Sequence, residues 1–266
     1  MISKLRKDLK ERHPLIHCIT NPISINQCAN AVLAVGARPM MAEHPEEVSV
    51  ITANAGAVLL NMGNLTDVRK ESIRISAKEA NQNGIPFVLD VCGASCLPSR
   101  RDYALSLIRE AKPTVIKGNY SEIMALCNPD YRSSGVDAEG VSLESAKEAA
   151  RTLAKCFQTT VLASGSIDLI TDGRRIICCY NGTPQLASIT GTGCMQGALC
   201  AAYLAVADTA LCAAEAAGVM LGVCGQLAQT DKGSGSFAVN LMDELSSITD
   251  DTLSDMIRLE EGYFDE

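Results

Sequence analysis

Short apolar runs alternate with longer segments of helical period along the first two thirds of this sequence. The runs are PLIHCIT, ARPMM, AGAVLLN, IPFVLDV, PTVIKG, TTVLAS, DLITD and RIICCY. The helical segments between them are 23–35, 45–54, 67–83, 99–111, 121–127 and 142–156. A strand that is apolar along its whole length is buried on both faces, as in a parallel sheet with helices on either side. The alternation therefore predicts an α/β fold with a parallel sheet between two helical layers.

After Tyr180 the pattern changes to consecutive helices, predicted over 192–207, 211–230, 236–247 and 250–260. No linker-like stretch or repeat divides the chain, and its 266 residues lie within the range of one α/β domain. We therefore predict a single domain over 1–266, a three-layer α/β/α sandwich with a mostly parallel central sheet.

Charge and composition exclude several classes of protein. The net charge is −8, with 23 basic and 31 acidic residues and no basic cluster, which argues against a nucleic-acid partner. The start, MISKLRKDLKERHPLIH, has no apolar signal core, and the alanine-rich run 198–207 is too short to span a bilayer. The twelve cysteines are scattered through apolar segments without CxxC spacing. These features predict a cytoplasmic protein with reduced thiols and no membrane partner.

Polar and small residues end most of the predicted strands. They are Thr20, Asn21, Met41, Glu43, Asn61, Gly63, Asp90, Lys117, Asn119 and Ser164. Ligands of such sheets bind beyond the carboxyl ends of the strands. The sequence therefore predicts that these residues meet at one edge of the sheet and form a site.

The segment TGTGCMQG, from Thr190 to Gly197, precedes an alanine-rich helix. Gly191 and Gly193 would let a ligand approach the backbone closely, and a helix N-terminus favours anions. The segment is either an anion hole for a phosphoryl group or only a tight turn before a packed helix. Cys194 lies in the first helical turn, a position where reactive cysteines occur. It is a nucleophile, a weak base or a small residue that fits.

The segment KGNYSEIM also has two interpretations. Asn119 and Glu122 have capping-box spacing, which favours a helix cap, but Glu122 and Asp90 are also suitable ligands for a hydrated Mg²⁺. Lys117 would contact a phosphate or simply end a strand in solvent. His17, inside an apolar strand, is more often a core residue than a catalytic base. No Walker A motif is present, so a nucleotide would need another phosphate-binding element.

Seven segments in order carry a resemblance to a known family. They are HCITNPISINQCANAVLAVGARPMMAEHPEEV, LLNMGNLT, VLDVCGAS, VIKGNYSEIMAL, SGSIDLITDG, ITGTGCMQGALCAA and GSGSF. Together they resemble the hydroxyethylthiazole kinases of thiamine salvage, members of the ribokinase-like superfamily, from about Pro14 to about Asp243. The resemblance implies ATP-dependent phosphorylation of the hydroxyethyl arm of 4-methyl-5-(2-hydroxyethyl)thiazole with Mg²⁺. It also implies a homotrimer with the thiazole at the subunit interface.

The resemblance assigns roles residue by residue. Met41 and Gly191 match residues that contact the thiazole, and Asp90 and Glu122 match acidic residues around the metal. Cys194 occupies the position where related sugar kinases carry a catalytic aspartate.

The remaining assignments concern the two substrates and the anion hole. Lys117 and Ser164 stand where the family has Arg and Thr near ATP, and we group Asn119 with them. Asn21 and Gly63 complete the predicted substrate site, while Gly191 and Gly193 form the predicted anion hole beside Cys194.

Two departures from the family pattern keep a paralogue without turnover open as one of four alternatives. The family's DPVG is DVCG here, with Val91 and Cys92, and Lys117 lacks the bidentate fork of arginine. The alternatives are a hydroxymethylpyrimidine-type kinase, a nicotinamide-hydrate dehydratase and a paralogue that binds thiazole or nucleotide without turnover. A thiol hydrolase built on Cys194 is the fourth, and it requires a histidine next to that cysteine.

Overall fold

One sheet of nine strands forms the centre of the protein. The computed structural model describes residues 1–131 and 141–264. The strands are β1 (Leu15–Ile19), β2 (Arg38–Met40), β3 (Ala57–Asn61), β4 (Phe87–Asp90), β5 (Val115–Asn119), β6 (Thr160–Ser164), β7 (Asp168–Thr171), β8 (Arg175–Cys179) and β9 (Leu259–Tyr263). Their spatial order is β2-β1-β3-β4-β5-β6-β7-β8-β9. The first six strands in this order pair in parallel and the last three pairings are antiparallel. The predicted mostly parallel sheet is confirmed.

Helices cover both faces of the sheet. They are α1 (Ile2–Arg12), α2 (Ile25–Ala34), α3 (Pro45–Ala53), α4 (Asp67–Asn83), α5 (Pro98–Ala111), α6 (Tyr120–Cys127), α7 (Leu143–Phe157), α8 (Thr192–Leu204), α9 (Ala210–Leu227), α10 (Ser234–Ser247) and α11 (Asp250–Met256). A short 3₁₀ helix, Pro184–Ser188, precedes α8.

Two separate cores show why the strands are apolar throughout. Along β3, Ala57 and Leu59 belong to the core with α1, α2 and α8–α11, whereas Val58 and Leu60 belong to the core with α3–α7. Successive side chains of a strand point to opposite faces, so each strand supplies both cores. The predicted three-layer sandwich is confirmed.

The predicted helix over 250–260 is wrong at its end. Helix α11 stops at Met256, and β9 then pairs antiparallel with β8 at the edge of the sheet. Cross-strand pairs stabilise this pairing: Tyr180 donates to Glu260 at 2.6 Å, and Arg175 binds Glu261 at 2.8 Å. These partners lie 80 and 86 positions apart in the chain, so local periodicity carries no signal of the strand.

Among the described residues, α9 is the one helix long and apolar enough to cross a membrane. In the protein, 78% of its apolar window is buried, and α9 packs between α8, α10 and the sheet. Helix α9 is therefore a buried helix of the protein core.

Candidate active site

A cavity of about 740 Å³ opens where the carboxyl ends of β1, β3, β4 and β5 meet the N-terminus of α8. Ten residues singled out from the sequence line it: Asn21, Gly63, Asp90, Lys117, Asn119, Glu122, Ser164, Gly191, Gly193 and Cys194. Met41, the remaining predicted site residue, lies outside this cavity and packs partly buried against the core. Thr20, Glu43 and Asn61, the other strand-end residues predicted to meet there, do not line this cavity either. The single chain therefore brings together every residue with a predicted role except Met41.

Strand register explains why these residues meet. Asn61 on β3 is paired with Asp90 on β4, and Asp90 is paired with Lys117 on β5. Asn119 on β5 is similarly paired with Ser164 on β6. In a parallel sheet, neighbouring residues at strand ends face the same edge, so the chain presents a row of polar side chains there.

Asp90 is the centre of that row and is 1% exposed. Its Oδ2 accepts from Asn61 Nδ2 at 2.9 Å and from Lys117 Nζ at 3.3 Å. Burial raises the pKa of Asp90, while the Lys117 charge opposes that rise. Burial alone would lower the pKa of Lys117, but the charges of Asp90 and Glu122 outweigh it and raise that pKa.

Glu122 is both a helix cap and a residue of the cavity. Its two oxygens accept from the backbone N–H of Gly93 and of Asn119, each at 2.7 Å, and its own N–H binds Asn119 Oδ1 at 2.8 Å. The predicted capping box of α6 is confirmed. Burial, and then repulsion from Asp90, raises the pKa of Glu122 to about 7.

The donor set fits a hydrated Mg²⁺. Asp90 Oδ1 is buried without a side-chain partner, and Glu122 lines the same cavity. Within residues 1–131 and 141–264 no group of three His, Cys, Asp or Glu would enclose a metal by itself. Mg²⁺ needs only one or two carboxylates, because water and phosphate oxygens complete its shell.

The N-terminus of α8 faces the cavity without a side-chain cap. Gly191 is its N-cap residue, with φ 89° in the left-handed region that favours glycine. A Cβ at Gly191 would lie 2.9 Å from Ser24 Cβ, and one at Gly193 would lie 3.2 Å from Lys117 Nζ. The free backbone N–H groups and the lysine therefore point into one space, which supports the anion-hole interpretation over a mere turn.

Cys194 lies in the first turn of α8, beside two amide groups. Asn21 Nδ2 is 3.3 Å and Asn61 Nδ2 is 3.4 Å from its sulfur. From the sequence, Asn61 could be placed at a strand end but had no assigned role. Its amide contacts both Cys194 and Asp90, so the thiol is held in place at the N-terminus of α8.

The positions of the three histidines, all in the described part of the chain, argue against a thiol hydrolase. His17 is buried, with Nδ1 bound to Thr52 Oγ1 at 2.9 Å and Nε2 to the Ala42 carbonyl at 3.0 Å. This confirms its prediction as a core residue. His44 caps α3 and His13 binds the Gly36 carbonyl at 2.7 Å. None of the three lines the cavity, so Cys194 has no base of the kind a Cys-His hydrolase needs.

A second cavity of about 620 Å³ continues from the first. Asn119, Ser164 and Gly193 line both, so the two form one elongated groove. Two further residues of this groove, Asp168 and Gln196, were not predicted from the sequence. Because Asp168 begins a short apolar run, no local pattern separates it from an ordinary strand terminus.

Asp168 connects the loop after β6 to α8. It accepts from Gly165 N at 3.1 Å and from Gln196 Nε2, whereas Gln196 Oε1 is buried without a partner. Burial raises the pKa of Asp168 to about 6. The carboxylate thus connects one wall of the groove to α8, whose N-terminus faces the first cavity.

Asp168→Asn should remove a pH-dependent loss of stability. The pKa of Asp168 is higher in the folded protein than in the unfolded chain, so between about pH 4 and pH 6 the folded protein binds more protons. The free energy of unfolding of the wild type therefore falls as pH rises through this range. At about 1.4 kcal/mol per unit, the variant should gain up to about 3 kcal/mol relative to wild type between pH 4 and pH 7.5. The new amide at position 168 would then donate to Gln196 Oε1 after the Gln196 amide turns over.

Urea unfolding of both proteins at the two pH values measures this gain. Asp172→Asn, in the exposed turn before β8, is the control. An equal difference between Asp168→Asn and wild type at both pH values would contradict the prediction.

The sheet and its two helical layers form a ribokinase-like fold. The pyridoxal kinase of Staphylococcus aureus, solved with AMP-PCP and pyridoxal, has the same fold at TM-score 0.64 and 15% identity, covering 94% of this chain and 98% of that one. This likeness concerns the fold.

The family is shown by closer matches. The model of the hydroxyethylthiazole kinase family matches residues 6–251. Hydroxyethylthiazole kinase 2 of Clostridium botulinum is 41% identical over 262 residues, covering 96% of this chain and 98% of its own. The hydroxyethylthiazole kinase of Alkaliphilus metalliredigens is 38% identical, with 98% and 97% coverage. The solved hydroxyethylthiazole kinase of Pyrococcus horikoshii superposes at TM-score 0.89 with 36% identity and 98% coverage of both chains. The chain belongs to the hydroxyethylthiazole kinase family.

Proposed function

We propose that this protein transfers the terminal phosphoryl group of ATP to the hydroxyl of 4-methyl-5-(2-hydroxyethyl)thiazole. The observation that carries the proposal is the convergence of Asp90, Lys117, Glu122 and the open N-terminus of α8 on one cavity. Phosphoryl transfer depends mainly on positioning and on neutralising charge, which is what these groups supply.

The acceptor alcohol lies in the first cavity, with Asn21, Gly63 and Gly191 around the ring and its hydroxyl at Cys194. A thiol is a weak base for an alcohol, so Cys194 orients the hydroxyl, and the loose transition state requires little deprotonation before transfer. The backbone N–H groups at Gly191 and Gly193 then donate hydrogen bonds to the oxygens of the transferred phosphoryl group and stabilise their negative charge.

ATP enters along the second cavity, with Ser164, Asn119 and Lys117 beside its phosphates. Asp90 and Glu122 would hold Mg²⁺, which supplies charge neutralisation at the phosphates when it is bound. Asn61 fixes Asp90 and Cys194 in the same network, so the metal side and the acceptor side keep a constant spacing.

The position of Met41 supports a homotrimer whose thiazole site is completed by a neighbouring subunit. Met41 follows edge strand β2 and lies outside the cavity of its own chain. Near it, Met40 is 41% exposed, and on α2 and just before it Leu33 and Ile23 are 55% and 60% exposed. Twelve free cysteines support a reducing, cytoplasmic location.

The test is ADP release by the pure protein, with and without the thiazole alcohol and with and without Mg²⁺. Release that requires both supports the proposal. ADP release with a hydroxymethylpyrimidine but not with the thiazole would contradict it and favour the first alternative. Asp172→Asn serves as the control for protein quality.

A binding paralogue without turnover is the second candidate. The buried Lys117–Asp90 ion pair favours it, because Lys117 Nζ occupies Asp90 Oδ2, which a metal would also approach. Calorimetry that shows thiazole and ATP binding together with no ADP release would support this candidate over the kinase.

Cys194→Ala should lower kcat by about ten- to hundredfold and leave the KM for ATP unchanged, because it removes only the group that positions the hydroxyl. Cys194→Asp should keep or raise kcat, since the amides of Asn21 and Asn61 would donate to a carboxylate as well. Steady-state kinetics measure both, with the exposed Cys156→Ala as control. Full kcat in Cys194→Ala would remove this role.

A further inference from the structure

Arg100 is a cation of the first cavity that the mechanism above does not use. It lies in the first turn of α5, and its Nη1 donates to the Met62 carbonyl at 3.0 Å and to the Cys92 carbonyl at 2.9 Å. These carbonyls belong to the loops after β3 and β4. The guanidinium is therefore held at the edge of the sheet, facing the acceptor side of the groove.

The charge of Arg100 has no counter-ion in the described part of the chain. Other cations nearby are paired: Lys117 with Asp90 at 3.3 Å and Arg101 with Asp102 at 3.1 Å. Within residues 1–131 and 141–264, Arg100 contacts only neutral carbonyls, and these use Nη1 alone. A guanidinium has five N–H groups in a planar fork, so Nε and Nη2 keep their donors for a ligand. A partly buried cation with unused donors in a cavity is suited to an oxyanion.

The local backbone is shaped for this side chain. Gly93 has φ +77°, and a Cβ there would lie 2.6 Å from Arg100 Nη1. Any other residue at 93 would be strained and would displace the guanidinium. The Gly93 N–H also donates a hydrogen bond to Glu122. The same glycine therefore leaves room for the Arg100 guanidinium and positions the Glu122 carboxylate, and both side chains line the cavity.

We propose that Arg100 binds the phosphoryl group on the acceptor side, as an ion pair with the phosphate monoester that the reaction forms. The proposal rests on the proposed function for the identity of the ester. Arg100 lines the first cavity and is not among the described residues that line the second, where the donor nucleotide lies. Lys117, beside which we place the phosphates of ATP, is already paired with Asp90, whereas Arg100 has no such pair in the described part of the chain. We therefore assign Arg100 to the phosphate carried by the alcohol, and the binding of ADP tests the other assignment. Arg100 strengthens binding of the product relative to the uncharged alcohol, and so contributes to product retention.

The experiment measures binding without turnover, so it stands apart from the assay of the proposed function. Calorimetry gives the affinities of four probes: the thiazole alcohol, its phosphate ester, inorganic phosphate and ADP. The proteins are wild type, Arg100→Gln, Arg100→Lys and the neighbouring control Arg101→Gln. Glutamine keeps a polar side chain with an N–H donor, but it is shorter than arginine and carries no charge.

We expect Arg100→Gln to lower the affinity for the ester at least about tenfold and to lower the affinity for inorganic phosphate as well. The affinities for the alcohol and for ADP should change by no more than about twofold. Arg100→Lys should fall between it and wild type, because it keeps the charge and loses the fork. Arg101→Gln should change none of the four. An equal loss for alcohol and ester would mean that Arg100 only supports the loops, and would overturn the proposal. Unchanged ester affinity, or a loss confined to ADP, would overturn it as well.

Discussion

Asp90→Asn should lower kcat by about 10³-fold while the protein stays folded and still binds the thiazole alcohol. The substitution keeps the shape of the side chain, and the oxygen of the new amide still accepts from Asn61. The substitution removes the negative charge that pairs with Lys117 and that would help to hold Mg²⁺. Losing one preorganised electrostatic contact at a reacting phosphoryl group costs this order of magnitude.

Steady-state ADP release and alcohol binding by calorimetry measure the effect, with circular dichroism as the check of folding. Asp172→Asn is the matched control, since Asp172 lies in an exposed turn and accepts from the backbone N–H groups of Arg174 and Arg175. An Asp90→Asn protein that retained activity within tenfold would remove Asp90 from the centre of the site.

Lys117→Met should lower the free energy of unfolding by about 3–5 kcal/mol at pH 8, because it leaves a buried carboxylate without its cation. The Lys117 and Asp90 side chains are 6% and 1% exposed, and their charged atoms lie 3.3 Å apart. Loss of the cation raises the pKa of Asp90 further in the folded state. The folded variant then binds a proton that the unfolded chain does not, so its deficit shrinks as pH falls toward about 4.

Urea unfolding at pH 8 and pH 5 measures the deficit and its pH dependence. The control is Lys147→Met, which breaks a surface pair with Glu144 at 3.0 Å and should cost less than about 1 kcal/mol. The double variant Asp90→Asn/Lys117→Met should recover part of the loss. A deficit in Lys117→Met no larger than in the surface control would show that the pair is not desolvated as the structure has it.

The two substitutions act on a pair whose partners could be picked out from the sequence. Asp90 and Lys117 each follow an apolar run, and parallel strands bring such ends together. The distance between the Lys117 ammonium and the Asp90 carboxylate, and the burial of both groups, could not be predicted from the sequence. Both depend on how the neighbouring strands and α8 pack around them. The same holds for Cys194: its place at a helix start was readable, but its two amide neighbours were not.

Local patterns in the chain were sufficient to predict the layers, the mostly parallel sheet and the edge that carries the candidate site. Residues apolar at every position of short runs must be buried on two sides, and that requirement is local. Capping of α6 by Asn119 and Glu122 was readable for the same reason, since its partners are three residues apart.

Features that depend on distant partners could be read only from the folded protein. Strand β9 exists because β8 offers an edge some 80 positions earlier in the chain. Asp168 meets Gln196 across the groove, and Arg100 is aimed by carbonyls of two loops. Met41 does not line the cavity of its own chain, because it follows β2 at the edge of the sheet. Local period and propensity report what one segment prefers, whereas these contacts depend on how the segments pack.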